Sequence, residues 1–514
     1  MKKVWSFIYS RLFAVGLALA IQVAVLVIMV IKFNQYFSSF YAICAVFSLI
    51  AVLVLVNNNS NPAYKISWII LILAVPVFGG LIYWMFGVNR MSRTYTRRLR
   101  RVEQRKQEVP LFDIAEAEEA REHLEQADDA AARQSRYMER TCCYPVWQNT
   151  QVTYLPSGED KWAALCERLD AAQHFIFMEY FIIAEGTMWG AVLDILKRKA
   201  AQGVEIRVMY DDMGSLFTLP YHYERQMREA GIQCQVFNPF VPALNPLMNN
   251  RDHRKICVID GVVGFSGGIN LADEYINIQS KYGHWKDTAV MLQGDAVRSL
   301  TVMFLGMWDG SGGKETDFKQ YCLPKTEIVE GRGGFVQPYC DSPLDDEHVG
   351  KTVYLNLIGS AVRYVHITTP YLIIDNELLV ALGAAAKSGV DVCIITPHIS
   401  DNVFVHATTR AYYRQLIESG VKIFEYTPGF IHAKSFVVDD RYATVGTINL
   451  DYRSLYLHFE CGVWMFGCDC VRQIERDFQD TLAKSREWTL KDCLATPWYT
   501  RMGGALLRVV APLL

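Results

Sequence analysis

Long apolar runs mark the first part of the chain. Leu12–Ile31 is a stretch of 20 residues in which only Gln22 is polar, and as a helix it is long enough to cross about 30 Å of hydrocarbon. Two further apolar stretches follow, at Phe40–Val56 and Ile66–Phe86. A cleaved signal peptide has a shorter apolar region and does not need two more such runs. The pattern therefore predicts a membrane anchor with two or three hydrophobic segments in residues 1–88.

Charged residues near these runs predict the orientation of the anchor. Arg90–Lys106 contains eight Lys and Arg against one Glu, which places this flank in the cytoplasm and also suits anionic lipid headgroups. The N-terminus has basic residues of its own: Lys2, Lys3 and Arg11. Both ends then favour the same side, which three full spans do not allow. Either one segment does not cross, as Pro76 in the third run would permit, or the downstream cluster dominates. Both alternatives leave the main body in the cytoplasm.

A different pattern begins at about residue 146. Short apolar runs alternate with helical periodicity, which is typical of an α/β domain. The alternation occurs twice: the apolar strand His174–Ile183 has its counterpart in Tyr364–Ile373, and a helix ending before Gly203 has its counterpart in one ending before Gly389. Glycine just beyond the last turn suits a left-handed helix cap. The repeat predicts two homologous halves.

These patterns together predict the organisation of the chain. The fold class is α/β, with two homologous half-domains, each a sheet flanked by helices, about a pseudo-twofold axis and preceded by N-terminal transmembrane helices. The predicted parts are an anchor, a basic collar with a linker helix, and the two half-domains, at 1–88, 89–145, 146–335 and 336–514.

Composition narrows the class of protein. The 514 residues carry a formal net charge of −3, and a charged fraction of 20% is too high for a wholly membrane-embedded chain. A near-neutral total argues against a surface built to bind nucleic acid. The 13 cysteines include no C-x-x-C pair, so we expect a reducing compartment and no disulfide framework.

The most specific repeat contains ionisable residues. His253–Asp260 matches His432–Asp439 as H-x-K-x-x-x-x-D, and both segments continue with Gly-x-Ile-Asn, at Gly267–Asn270 and Gly446–Asn449. One such H-x-K-x-x-x-x-D motif is expected about 0.03 times by chance in a chain of this length. Two copies with the same continuation therefore indicate a functional duplication.

The residue types in this motif predict a reaction. Residues i and i+2 of an extended strand share a face, so His253 projects with Lys255, and His432 with Lys434. If the halves meet about the pseudo-twofold axis, the four side chains converge. One neutral histidine can attack phosphorus and form a phosphohistidine, while the other protonates the leaving oxygen. Ammonium groups bind phosphoryl oxygens without a metal. The motif predicts phosphodiester transfer with no cofactor, and its near-symmetry leaves the nucleophile open.

The remaining motif residues are candidates of two kinds. The amides of Asn270 and Asn449 suit non-bridging phosphoryl oxygens. Asp260 and Asp439 are candidate catalytic residues, with two roles open: contact with the substrate, or support of the motif's backbone.

The duplicated motif resembles that of the phospholipase D superfamily, and with its hydrophobic N-terminus the chain resembles the bacterial cardiolipin synthases most. The likeness rests on four segments: Asn249–Lys255, Trp285–Thr288, Thr369–Tyr371 and Thr447–Asp451. The resemblance implies that an acidic residue on a later strand orients each histidine. The matching positions are Asp287 and Glu460, 34 and 28 residues beyond their histidines. It also implies that two phosphatidylglycerol molecules become cardiolipin and glycerol.

Three alternatives stay open at this point. A membrane-bound phospholipase D would use water as the acceptor, a nuclease would cleave nucleic acid by the same chemistry, and an inactive scaffold would have lost one of the His or Lys residues. Two weaker features also have two interpretations. Asp211-Asp212 either lines a pocket or forms an ordinary turn, and Ala505–Leu514 docks either on the bilayer or on the protein body.

Overall fold

The computed structural model describes residues 24, 27–28, 31–32, 37–75, 79–87, 93–108, 112, 114–240, 249–312, 315–322 and 333–513. The chain divides into two units. One comprises residues 1–93, 238–250 and 509–514, and the other comprises residues 94–237 and 251–508.

The first unit is helical. Its elements are α1 (Phe37–Val56), α2 (Pro62–Ala74), α3 (Gly79–Ile82), a π-helical turn (Tyr83–Gly87) and, at the end of the chain, a 3₁₀ turn (Ala511–Leu513). Asn61 caps α2 by accepting a hydrogen bond from the Ala63 N–H at 2.8 Å. Four buried apolar side chains form the core of this unit: Leu55, Trp68, Ile72 and Tyr83.

The predicted membrane segments fall on this unit only in part. Leu12–Ile31 lies almost wholly outside the described residues, and the second run corresponds to α1. The third run is interrupted, because α2 ends at Ala74 and α3 begins at Gly79. A Cβ at Gly79 would lie 2.5 Å from the Cα of Ile72, so this close approach requires glycine. Over the ranges that the structure describes, no helix combines the length and the apolar character that crossing a bilayer requires.

The second unit contains the predicted α/β body. Three helices come first: α4 (Arg93–Glu108), α5 (Ile114–Ala127) and α6 (Asp129–Cys142). The first half has strands β1 (Thr150–Leu155), β2 (Phe175–Tyr180), β3 (Glu205–Asp211), β4 (Gln233–Phe237), β5 (Ile256–Ile259), β6 (Val263–Gly267), β7 (His284–Lys286) and β8 (Ala289–Gly294). Its helices are α7 (Gly158–Ala171), α8 (Thr187–Ala201), α9 (Tyr223–Glu229) and α10 (Val297–Gly310), with 3₁₀ turns at Asp273–Ile276 and Phe318–Gln320.

The second half repeats this order. Its strands are β9 (Phe335–Asp341), β10 (Tyr364–Thr368), β11 (Asp391–Pro397), β12 (Lys422–Tyr426), β13 (Gly429–Ile431), β14 (Ser435–Val438), β15 (Tyr442–Gly446), β16 (Glu460–Phe466) and β17 (Ser485–Trp488). Its helices are α11 (Val349–Ser360), α12 (Asn376–Lys387), α13 (Val403–Glu418), α14 (Tyr452–Tyr456), α15 (Asp469–Leu482), α16 (Leu490–Ala495) and α17 (Trp498–Val510).

The two large sheets confirm the predicted duplication. The first has the order β1-β8-β6-β5-β2-β3-β4, and the second has the order β17-β12-β11-β10-β14-β15-β16-β9. In both, three parallel strands (β2-β3-β4 and β10-β11-β12) adjoin an antiparallel set that starts with the motif strand, β5 or β14. A third, two-stranded sheet pairs β7 with β13 in parallel and joins the halves.

The helix ends predicted from the repeat are also present. Gly203 has φ +90° and Gly389 has φ +94°, and an added Cβ would meet no atom within 4 Å at either position. Glycine is therefore favoured at both by backbone conformation rather than by lack of space. After each cap the chain enters a largely buried parallel strand, β3 or β11.

Candidate active site

The two H-x-K segments occupy corresponding positions in the two sheets. His253 and Lys255 directly precede β5, and His432 and Lys434 directly precede β14, so each pair lies just before a strand rather than within it. All four residues are buried. The strands that follow are buried along their whole length, which fixes the position of each pair.

Each histidine is paired with an acid of the other half. Nδ1 of His253 lies 2.9 Å from Oε1 of Glu460, and Nδ1 of His432 lies 2.6 Å from Oδ2 of Asp287. The expectation that each acid orients the histidine of its own half is therefore wrong. Because a carboxylate holds Nδ1, the proton is directed to that nitrogen and Nε2 is the nitrogen that can react.

A matched pair of backbone hydrogen bonds explains this crossing. The His253 N–H donates to the Phe459 carbonyl at 2.9 Å, and the His432 N–H donates to the Lys286 carbonyl at 2.7 Å. In both cases the acceptor is the residue directly before the paired acid. Chain pairing between the halves therefore brings each carboxylate to the opposite histidine.

Burial and positive charge lower the pKa of both histidines. For His253, burial is the largest cause, and Lys255, Lys434 and His432 lower the pKa further, to well below its usual range. For His432, burial and then Lys434 lower the pKa to about 4, against the opposing effect of Asp287. Charges from both halves act on each ring, so the two pairs form one site. Both imidazoles are neutral near pH 7, the state in which a ring nitrogen can attack phosphorus.

The two lysines place buried ammonium groups beside the histidines. Nζ of Lys255 donates to the His253 carbonyl at 2.5 Å, and Nζ of Lys434 donates to the His432 carbonyl. Burial lowers the pKa of Lys255 to about 7 and that of Lys434 to about 8. A bound anion would offset this desolvation and favour the charged form. The lysine pair therefore suits an anionic group such as a phosphodiester.

The two carboxylates are held in different ways because one side chain is longer. The Thr447 hydroxyl donates to Glu460, and burial raises the pKa of Glu460 to about 7. Gly268 is the counterpart of Thr447 in the first half, and a Cβ there would lie 2.2 Å from Oδ1 of Asp287. The shorter side chain of Asp287 therefore lies against the backbone of Gly268, whereas Glu460 accepts a hydrogen bond from the hydroxyl at the corresponding position.

Replacing Gly268 by Ala is expected to impair catalysis by displacing Asp287. The new methyl group would overlap the carboxylate, which must move away from His432. We expect kcat to fall about 10- to 100-fold with little change in KM, since small misplacements of reacting groups are costly. Gly190→Ala on α8 is the matched control, because its Cβ would meet no atom within 4 Å. Wild-type kcat in the Gly268→Ala enzyme would show that His432 does not depend on the position of this carboxylate.

The two motif asparagines differ in the hydrogen bonds that their side-chain amides make to the protein. Asn270 accepts a hydrogen bond from the Ile182 N–H at 3.0 Å and donates to the Tyr275 hydroxyl at 2.6 Å. In contrast, Oδ1 of Asn449 is buried and has no hydrogen-bond partner among the described residues. Phosphate binding stays a prediction for both. At Asn270, only the second amide hydrogen is left for it.

Asp260 and Asp439 support the backbone. The Asp260 carboxylate accepts hydrogen bonds from the N–H groups of residues 173–175 at 2.7–2.8 Å. The Asp439 carboxylate does the same with residues 362–364, again at 2.7–2.8 Å. Each carboxylate ties the end of the motif strand to the start of the adjacent strand, with the whole motif strand between it and the histidine. Of the two roles open for these residues, support of the motif's backbone is the one that the structure shows.

Asp439→Ala is accordingly expected to destabilise the protein without inactivating it. Three backbone N–H groups lose a charged acceptor, which we expect to lower the free energy of unfolding by about 2–4 kcal/mol. Thermal unfolding measures this loss, and kcat at a temperature where the variant is folded should stay within about twofold of wild type. Asp439→Asn keeps one acceptor oxygen and should recover part of the stability. An unchanged Tm together with lost activity would restore the catalytic role.

Aromatic rings line the site at positions outside the two H-x-K motifs. The Trp285 ring lies 5.5 Å from that of His432, and the His458 ring lies 5.8 Å from that of His253. Each of these residues comes two positions before the acid of its own half, so aligning the two repeats beyond the motif would have found them. Three more rings contact the histidines: Phe181, Tyr275 and Phe430.

Asp211 fixes the start of the first motif. Its carboxylate forms a buried ion pair with Arg251 at 2.7 Å and accepts a hydrogen bond from the Asp252 N–H at 3.0 Å. It also closes the turn after β3 by accepting from the N–H groups of residues 213 and 214. Asp211 therefore forms the turn that was one of its two interpretations. Its ion pair with Arg251 also positions the residues that precede His253.

The arrangement supplies the parts of a group-transfer reaction at an anion. It holds two neutral imidazoles, each paired with a carboxylate of the other half, and two buried ammonium groups beside them. Within the described residues, no three His, Cys, Asp or Glu side chains are grouped so as to hold a metal ion.

Family comparison finds two matching models. One is described as cardiolipin synthase, PLD-like domain, and matches residues 165–308 and 354–482, one segment in each half. The other is described as phospholipase D-nuclease N-terminal and matches residues 46–87.

Curated relatives match over most of their length. A protein of Streptococcus mutans is 45% identical, over 90% of this chain and 99% of its own. The cardiolipin synthase of Alkalihalophilus pseudofirmus is 33% identical over 89% of this chain and 90% of its own, and that of Geobacillus kaustophilus is 34% identical over 90% and 91%. Among solved structures, phosphatidylserine synthase of Haemophilus influenzae superposes with a TM-score of 0.57 at 15% identity, over 74% of this chain and 99% of that one. The last match shows a shared fold.

Proposed function

This chain belongs to the cardiolipin synthase family of phospholipase D-like proteins, and we propose that it joins two phosphatidylglycerol molecules into cardiolipin with release of glycerol. It is a phosphatidyltransferase. The observation that carries the proposal is the single site formed by both halves. In that site, two neutral histidines each have Nδ1 on a buried carboxylate and a buried lysine nearby.

The first step forms a covalent enzyme. Nε2 of one histidine attacks the phosphorus of a phosphatidylglycerol, so a P–N bond forms and the bond from phosphorus to the headgroup oxygen breaks. The other histidine binds a proton at Nε2 when the negatively charged phosphodiester lies beside it, and it then gives that proton to the headgroup oxygen as glycerol leaves. Lys255 and Lys434 bind the non-bridging oxygens, where charge develops. Asp287 and Glu460 stabilise the imidazolium that each partner histidine becomes.

The second step reverses the first with a different alcohol. The terminal hydroxyl of a second phosphatidylglycerol gives its proton to the histidine that acted as the acid, and its oxygen attacks phosphorus. The P–N bond breaks and a P–O bond forms. One P–O bond is broken and one is formed, and the proton given to glycerol is replaced by the proton of the second lipid's hydroxyl. The reaction therefore needs no external energy source.

The test is a product assay on the purified full-length protein with phosphatidylglycerol in mixed micelles. Cardiolipin and glycerol in equal amounts support the proposal. Phosphatidic acid and glycerol without cardiolipin would identify a hydrolase that uses water as its acceptor. No reaction with the lipid, together with cleavage of nucleic acid, would identify the nuclease alternative.

We also propose that residues 1–88 hold the enzyme at the cell membrane, with the body in the cytoplasm. The apolar runs and the basic stretch Arg90–Lys106 support this placement, and the N-terminal family match covers part of the same region. Resistance of the protein to alkaline extraction from membranes, with protease cleavage of the body only from the cytoplasmic side, would support it. Recovery in the soluble fraction would contradict it.

The lysine pKa values predict an alkaline limit to activity. A group whose pKa is lowered by burial loses its proton as pH rises through the new value, so Lys255 and Lys434 lose charge between about pH 7 and 8 in the free enzyme. We expect kcat/KM to fall across this range, because kcat/KM reports the free enzyme. Lys434→Arg keeps its charge, so only the loss of the Lys255 proton should remain and the decline should be less steep, although the maximum is lower. A profile that is flat from pH 7 to 9 would show that neither ammonium is required.

A further inference from the structure

Helix α17 (Trp498–Val510) has two contrasting faces. On one face, a Cβ at Gly504 would lie 3.1 Å from the Ala411 Cβ of α13, and the Arg508 guanidinium lies 4.3 Å from the centre of the Tyr412 ring. The opposite face has four exposed apolar side chains, each 54–66% accessible: Trp498, Tyr499, Met502 and Leu506. At 3.6 residues per turn these four fall within an arc of about 100°. The helix is therefore amphipathic, and its apolar face points away from α13.

The composition of this segment favours one kind of partner. From residue 493 to the end of the chain the only charged residues are Arg501 and Arg508, with no acid. Trp and Tyr have an apolar body and a polar tip, which suits the boundary between water and hydrocarbon. An exposed apolar face in a segment whose only charged side chains are positive complements an anionic lipid surface.

The connection along the chain from α17 supports a membrane surface as the partner. The chain passes from α17 directly into Ala511–Leu513, where Ala511 is buried and Leu513 packs on the apolar cluster of the helical unit. That unit contains the apolar runs of the proposed anchor. A second copy of the chain would have to cover this face with equally apolar residues. The composition of the segment does not favour such a partner over a lipid surface.

The start of α13 has two further exposed apolar side chains. Val403 and Phe404 are exposed, at 79% and 67%. Asp401, just before them, accepts a hydrogen bond from the Tyr371 hydroxyl at 2.6 Å. The loop that holds Tyr371 also pairs with the residue after Asn449. The helix pair α13–α17 is thus connected to the motif of the second half.

We propose that α17 lies flat on an anionic phospholipid bilayer, with its exposed apolar face in the boundary between headgroups and acyl chains, and that this contact presents the site to lipid in the bilayer. The presentation of the site to lipid rests on the proposed function, whereas the contact of α17 with the bilayer does not. Contact with the bilayer would keep the substrate at high local concentration and hold the site close to the headgroups.

Photo-crosslinking tests the surface directly. The full-length protein is placed in nanodiscs that contain phosphatidylglycerol, with p-benzoylphenylalanine at position 502 or 506. Mass spectrometry should detect lipid adducts at both positions. Position 362 is the control, since Val362 is 79% exposed and lies in the turn before β10. Adducts to a second copy of the chain, or lipid adducts no more frequent than at position 362, would overturn the proposal.

A pair of substrates tests the consequence for activity. In the double variant Met502→Glu and Leu506→Glu, kcat/KM on phosphatidylglycerol in anionic vesicles should fall about tenfold, because charge opposes insertion of the face. On a short-chain phosphatidylglycerol dissolved as monomers, kcat/KM should be unchanged. Equal effects on both substrates would overturn the proposal, since the defect would not depend on the bilayer. If the wild-type protein is inactive on both lipids, the proposed function is refuted. The crosslinking result would still show whether α17 contacts the bilayer.

Discussion

Alanine at His253 is expected to lower phosphatidyl transfer by more than about 10⁴-fold, and alanine at His432 is expected to do the same, since residues that act as a catalytic unit fail together. One variant lacks the nucleophile and the other lacks the group that moves the proton. Cardiolipin formation from labelled phosphatidylglycerol measures the loss. His174→Ala is the matched control, because His174 is exposed at the start of β2 and should be replaceable without effect on kcat.

The same two variants identify the nucleophile. The variant without the nucleophile should form no covalent adduct. The variant without the acid-base histidine should form a phosphatidyl-enzyme slowly and then retain it, because the departure of glycerol and the later attack by water or alcohol both lack their proton transfer. Mass spectrometry of the histidine-containing peptides locates the adduct. Activity within tenfold of wild type in either variant would contradict the two-histidine mechanism.

Asp287→Asn and Glu460→Gln are expected to lower kcat by about 10²–10⁴-fold, as loss of a carboxylate that orients a catalytic histidine does elsewhere. Each amide can donate to Nδ1, which would favour the tautomer with its proton on the reacting nitrogen. Because the pairs cross between halves, Asp287→Asn should slow the step that His432→Ala slows. Glu460→Gln should slow the step that His253→Ala slows.

Single-turnover kinetics separate the two steps of this experiment. Formation of the covalent adduct and its transfer to the second lipid are measured separately in each variant. Glu475→Gln is the matched control, since Glu475 holds Nδ1 of His366 at 2.9 Å in a similar pair that contributes nothing to the site, and kcat should stay near wild type. Kinetics in which Asp287→Asn matched His253→Ala would contradict the crossed arrangement.

Much of the fold could be predicted from the sequence because its signals are local. Strand and helix periodicity, the glycine caps at Gly203 and Gly389, and the repeated motif each depend on residues close together in the chain. The convergence of the two His/Lys pairs was expected from the duplication, and the electrostatic influence of Lys434 on His253 agrees with it. The first apolar run, Leu12–Ile31, lies almost wholly outside the described residues, so the anchor stays a prediction.

Two features of the site are not specified by the motif, for one physical reason. The motif groups Asp260 with His253, but the Asp260 carboxylate accepts hydrogen bonds from three N–H groups 85–87 residues away in the chain. Spacing along the chain pairs each acid with the histidine of its own half, but Glu460 and His253 are 207 residues apart and meet only when the halves pack. A motif gives the kinds of side chain at a position, and it does not give the direction in which a neighbouring half approaches.

The sequence by itself therefore determined the chemistry and the duplication of this protein. Imidazole, ammonium and carboxylate groups have their reactivity wherever they lie, and two copies of one motif imply two similar halves. Only the tertiary structure decided which carboxylate serves which histidine, because the β7–β13 pairing and the backbone hydrogen bonds from His253 and His432 are made between halves. It also decided the protonation of the site, because burial, which no local pattern specifies, lowers the pKa values of the histidines and lysines.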